Sequence, residues 1–184
     1  MRNKIKLLTR CAFSLLHIAF VKLMHPRLFS SAPAQDLAMS VKFIIDGGRI
    51  RLGKGLHVKR NVTFEAMQDG YIEIGRGCFF NEGCMIVSKE HIVIGEKTSF
   101  GPNVMVYDQD HDTYRSEETE TVYRSSPVII GKRVWIGANS VILRGSVIGD
   151  GCVIGAGCVV KGTYPPGTLV VQKRETDMRE IQKV

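Results

Sequence analysis

Ile130, Ile136, Ile142, Ile148, Ile154 and Val160 stand six residues apart without a break, and glycine follows at Gly131, Gly137, Gly149 and Gly155. At 44% apolar content, six hits in one preset register arise by chance about once in 100 tries. The same register returns upstream in triplets: Leu52, Val58 and Phe64; Ile74, Phe80 and Ile86; Ile94, Phe100 and Val106. A period of six fits neither an amphipathic helix nor a continuous strand. It fits a short strand and a corner, repeated three times per turn, so each triplet is one turn of a three-sided solenoid. About five such turns are expected.

The apolar residue of each hexad points inward. Four positions later a small or thin side chain (Val62, Cys78, Cys84, Thr98, Val104, Val134, Ser140, Ser146, Cys152, Cys158) points inward beside it. Glycine at the second position permits a backbone turn that a Cβ would hinder. Four of the five cysteines fall in this repeat position, which reads as core, and the odd count without CxxC pairs argues against a disulfide framework or a structural metal site. A reducing cytoplasm fits best.

The register slips by insertion, with steps of 10 from Phe64 to Ile74, 8 from Ile86 to Ile94 and 24 from Val106 to Ile130. Each insertion follows the third side of a turn, so all of them emerge from one corner. The longest, from Tyr107 to about Ser126, is polar and acidic. A long excursion from a rigid stack is where function tends to sit.

Residues 5–24 read as a helix closed by Pro26. Arg10, His17 and Lys22 interrupt it as a membrane span, and it makes a poor signal peptide. Two readings stay open: a helix packed on its own oligomer, or an interfacial helix that touches a membrane through Arg2, Lys4, Lys6 and Arg10. The expected division is residues 1–45 as helix and linker, 46–170 as solenoid with a loop at 107–127, and 171–184 as tail. The net charge of +7 suits an anionic small molecule or a membrane surface. No nucleic-acid reading unit is visible.

Three stretches carry a resemblance to the hexapeptide-repeat acyltransferases of the galactoside, maltose and xenobiotic acetyltransferase group: Gly101-Pro102-Asn103-Val104 leading to His111, Val134-Trp135-Ile136-Gly137-Ala138-Asn139, and Val153-Ile154-Gly155-Ala156-Gly157 before Pro165-Pro166. The resemblance covers about residues 50–170. It implies an all-β fold, a left-handed parallel β-helix with an N-terminal helix and an extruded catalytic loop. It also implies a homotrimer with active sites between neighbouring subunits, acetyl-CoA as co-substrate with no metal, and acetyl transfer to a hydroxyl of a sugar or glycan precursor.

Such a transfer needs a base, because the alcohol proton must leave as its oxygen attacks the thioester carbon. The resemblance assigns that role to His111, which the residues alone would leave as a solvated loop histidine. It lies in Asp108-Gln109-Asp110-His111-Asp112, among three carboxylates able to orient the ring or raise its basicity. Asn81 resembles the family's acceptor-contacting asparagine, and it also reads as a turn residue. The Ala138 N–H is a candidate oxyanion donor. Trp135, Gly137, Ala156 and Gly157 resemble the stretch along the pantetheine arm of CoA, with Lys161, Lys173, Arg174 and Arg179 as candidates for its phosphates. Around Pro165-Pro166 the sequence departs from its relatives, carrying Lys161-Gly162-Thr163-Tyr164 before and Val171-Gln172-Lys173-Arg174 after.

Rival readings remain. An amine acceptor on an amino sugar, or serine as acceptor, would use the same scaffold. A γ-type carbonic anhydrase shares the solenoid but needs three zinc-binding histidines, two of them close in sequence, and His17, His25, His57, His91 and His111 offer no such pair. A non-catalytic scaffold is the third.

Overall fold

The computed structural model describes residues 2–112, 122–173 and 175, with side chains from residue 9 onward. From Phe29 to Val170 the chain winds as a three-sided parallel β-solenoid. Among the described residues, face one stacks seven strands from Phe29–Ser31 to Thr163–Tyr164. Face two stacks seven from Asp36–Leu37 to Leu169–Val170, and face three stacks six from Lys42–Asp46 to Val159–Val160. Each strand pairs in parallel with its counterpart one turn on, as Ile92 does with Ile72 and Val128.

Six complete turns and two sides of a seventh result, against the five expected. The unexpected turn is the first, built from Phe29–Ser31, Asp36–Leu37 and Lys42–Asp46, where the hexad positions are Ser31, Leu37 and Phe43, in register with Leu52, Val58 and Phe64.

Every hexad residue from Leu52 to Val160 is buried, and so is every small partner from Val62 to Cys158. Burying one such Val, Ile or Phe side chain contributes about 1.5–3 kcal/mol. The lower half of the core is aromatic, with Phe43 stacked on Phe64 at 5.5 Å and Phe80 on Phe100 at 4.6 Å. The upper half is Ile and Val. The Cys78 and Cys84 thiols donate to the Gly95 and Gly101 carbonyls at 3.1 and 3.2 Å, and burial pushes both up to about 11.

The second-position glycines serve a different purpose from the one expected. A Cβ on Gly95 would lie 2.5 Å from the Gly131 carbonyl carbon, and one on Gly137 would lie 2.5 Å from the Ala156 nitrogen. They are glycine because successive turns touch backbone to backbone. The left-handed conformation falls two residues later, on Gly77, Lys97, Arg133 and Gly151 at one corner and on Asn61, Gly83, Asn103, Asn139 and Gly157 at the next. Asparagine and glycine tolerate it best.

The first turn is covered, and the last strand of face three is capped. The N-terminal helix, Arg2–Met24, lies across the first turn. There Ser14 Oγ accepts the Leu37 N–H at 2.9 Å and donates to the Arg10 carbonyl at 2.8 Å, while Arg10 pairs with Asp36 at 2.8 Å. At the other end face three is one strand short, and the Gln172 side chain takes the missing place. Its Oε1 accepts from Val159 N at 3.0 Å and its Nε2 donates to Val159 O at 2.7 Å.

Candidate active site

His111 ends the strand Gln109–His111, which leaves the solenoid after the third face of turn four. That strand pairs antiparallel with Tyr123–Ser125, His111 opposite Tyr123. The expected single-corner excursion is therefore a hairpin. His111 is exposed, and its ring lies 4.8 Å from that of Tyr123 at an interplanar angle of 40°. The Lys89 ammonium sits 3.5 Å above the Tyr123 ring centroid, a cation–π contact that ties the hairpin to the corner of the preceding turn.

The neighbouring carboxylates hold the hairpin and not the imidazole. Asp108 is fully buried and accepts from Ser88 Oγ at 2.7 Å, Lys89 N at 2.8 Å and Glu90 N at 2.9 Å. Asp110 takes Arg144 Nε at 2.6 Å, and Asp112 takes Arg124 at 2.8 and 3.2 Å. Among the described residues no hydrogen bond joins any of the three to the His111 ring, so the expectation that they orient it is corrected. A carboxylate in reach of a fixed guanidinium or of convergent N–H groups finds its strongest partner there. The residue that does touch the ring, Tyr123, was not singled out in the sequence, where it stands in a polar run without periodicity.

A second group of site residues shares the corner between faces two and three. Asn81 lies there in turn three, Ala138 in turn five, Ala156 and Gly157 in turn six, and Lys173 beyond the last strand of face two. At about 4.8 Å per turn, Asn81 and Ala138 are about 10 Å apart along the axis. Asn81 Oδ1 accepts the Glu82 N–H at 2.9 Å, so the asparagine does serve its turn, and its amide N–H groups remain for another acceptor. No hydrogen bond among the described residues uses the Ala138 N–H, while its carbonyl accepts from Gly157 N at 2.7 Å.

Trp135 lies on the outer surface of face two, 49% exposed, in register with Ser99 below and Val153 above. With Val153 and Leu169 it makes an apolar ridge beside the Ala138 and Ala156 corner. Gly137 is buried between turns.

These groups do not meet within one chain. His111 belongs to the corner between faces three and one, on the far edge of face three from Asn81 and Ala138. Lys161 lies on the His111 corner and Lys173 on the other; both are exposed, and Arg174 and Arg179 fall outside the described residues. No group of three His, Cys, Asp or Glu side chains comes together among the described residues. His57 pairs with Asp36 on face two of turn two, and His91 stacks on Tyr71 on face one of turn four.

Comparison with known proteins gives consistent neighbours. The model of the bacterial transferase hexapeptide (six repeats) matches residues 127–162. Nodulation protein L of Rhizobium meliloti (strain 1021) is 43% identical over 100 residues, 54% of this chain. The matched stretch spans about half of that relative, 55% of its length. Among solved structures, a maltose O-acetyltransferase from Clostridium difficile 630 is 35% identical with a TM-score of 0.57, over 64% of this chain and 62% of that one. A hexapeptide-repeat acetyltransferase from Vibrio cholerae O1 biovar eltor, solved with acetyl coenzyme A, is 26% identical with a TM-score of 0.54, over 89% of this chain and 81% of that one.

Proposed function

We propose that this chain, a hexapeptide-repeat solenoid similar to known acetyltransferases, moves an acetyl group from acetyl-CoA to a hydroxyl of a sugar or glycan precursor. The observation that carries the reading is the hairpin at the third-face corner, which presents an exposed His111 on a frame anchored at Asp108, Asp110 and Asp112. The frame fixes the strand that carries the base, and among the described residues no hydrogen bond engages its ring nitrogens.

His111 takes the proton of the acceptor hydroxyl as the oxygen bonds to the thioester carbonyl carbon. The Ala138 N–H donates a hydrogen bond to the carbonyl oxygen as negative charge develops on it. When the carbon–sulfur bond breaks, the His111 imidazolium returns its proton to the departing sulfur, so both proton and charge balance without an acyl-enzyme. Asn81 offers its amide to an acceptor hydroxyl. The Trp135 and Val153 ridge, with the small residues Ala156 and Gly157 beside it, suits the pantetheine arm, because the backbone there is open to close approach. Lys173 is at the end of that column, where a phosphate would be met.

The two halves of this site lie on opposite edges of face three. A homotrimer in which the His111 edge of one protomer abuts the Asn81 edge of the next completes it. An outward apolar row on that face, Met85, Met105 and Val159, supports such packing. We read the enzyme as cytoplasmic, with the N-terminal helix as its point of contact with a membrane.

The test compares wild type with His111→Ala on acetyl-CoA and a panel of sugars, following release of free thiol. Acceptor-dependent release should fall by about 100-fold or more in the variant, the scale of losing a general base. Equal activity in the two proteins would move the base elsewhere.

A further inference from the structure

The N-terminal helix has two apolar faces, and the solenoid uses one. Ser14 and Val21 are 1% and 6% exposed against the first turn, with Ile18 packed beside them. On the opposite side Leu16, Phe20 and Leu23 are 72%, 62% and 78% exposed, at the spacing that aligns side chains along one helical stripe. A helix apolar on all sides is normally buried.

Charge and position identify what covers this stripe. Arg2, Lys4, Lys6, Arg10, Lys22 and Arg27 precede the first acidic residue of the chain, Asp36. Arg10 is spent on Asp36, whereas Lys22 and Arg27 are exposed at the helix's C-terminal end. Arg27 and Arg49 also line a cleft of about 240 Å³ beside that end. Because the helix lies across the first turn, the stripe faces away from the solenoid along its axis and forms the base of the prism. No helix among the described residues is long and apolar enough to cross a membrane, which fits lying on one and not spanning it. A second copy placed base to base would set two helices that carry only basic charges against each other.

We propose that this base docks on an anionic lipid surface, with Leu16, Phe20 and Leu23 at the acyl boundary and Lys22 and Arg27 among the headgroups. Amphipathic helices of this kind bind through apolar burial plus attraction to anionic lipid. The docked prism stands on the surface, and Asn81, two turns above the first, lies about 10 Å up the axis from that turn. The inference does not depend on the proposed reaction.

The experiment is flotation of the full-length protein with vesicles of phosphatidylcholine alone or mixed with phosphatidylglycerol. Binding to the mixed vesicles alone, weakening as salt rises, is expected. The double variant Phe20→Glu/Leu23→Glu should reduce the bound fraction by about tenfold or more. Lys22→Glu/Arg27→Glu should weaken binding to the mixed vesicles and leave the thermal midpoint unchanged, since both positions are exposed. A folded wild type that stays unbound with mixed vesicles overturns the proposal, as does undiminished flotation of the apolar variant. A particle mass that halves on Phe20→Glu/Leu23→Glu in the absence of lipid would show that a second copy covers the stripe, and would overturn it too. Flotation reads no acyl transfer, so it stands or falls separately from the thiol-release assay.

Discussion

Asp108 stands three residues before His111 and holds the hairpin down from inside the solenoid. Replacing it with alanine strands the Lys89 and Glu90 N–H groups and leaves the Ser88 hydroxyl only the Tyr71 carbonyl at 3.3 Å, at a cost of about 1–3 kcal/mol per group left unsatisfied. Asp108→Ala should lower the urea midpoint and cut kcat in the thiol-release assay while leaving acetyl-CoA affinity unchanged, because no candidate CoA residue touches it. The position of His111 was legible in the sequence, in register after the third side of turn four. The use made of its acidic neighbours was not. Their partners lie 20 residues away at Ser88 and 34 away at Arg144, so a local run of Asp around a His is compatible with either arrangement. Only the stacking of turns decides which carboxylate faces a guanidinium.

At the scale of a single turn, the hexad did the predicting, and both inward positions were read directly from spacing because burial on a fixed period leaves no other choice of residue. The first turn escaped because its opening hexad position is polar: Ser31, Leu37 and Phe43 keep the six-residue spacing, but Ser31 stands where the next five turns carry Leu or Ile. Its Phe43 packs under His17 at 5.6 Å and against Phe29 at 5.1 Å, so the helix covers that turn where another turn would. The two classes of glycine also look alike in sequence and differ in cost. Gly95→Ala drives a Cβ into the backbone of the next turn, and it should lower stability by about 3 kcal/mol or more. Gly151→Ala meets no atom within 4 Å and carries only left-handed strain, about 1 kcal/mol. Urea denaturation of the two variants side by side separates them.

For the whole molecule, the separation of His111 from Asn81 across face three is a property no linear pattern contains. Spacing along the chain fixes which corner a residue occupies, but it says nothing of which corners meet when protomers assemble. The same limit held at the far end of the stack, where Gln172 was read only as a departure from the relatives' pattern. A parallel strand left bare at the end of a stack presents a template on which another chain can add, one rung at a time, as in fibril growth. On face three the Gln172 amide occupies the rung above Val159 with a side-chain copy of the peptide group, and so blocks addition at that edge. Gln172→Ala should leave the fold intact and uncover the face-three edge, raising concentration-dependent association visible by light scattering, so that one glutamine guards one of the three edges at which the stack can grow.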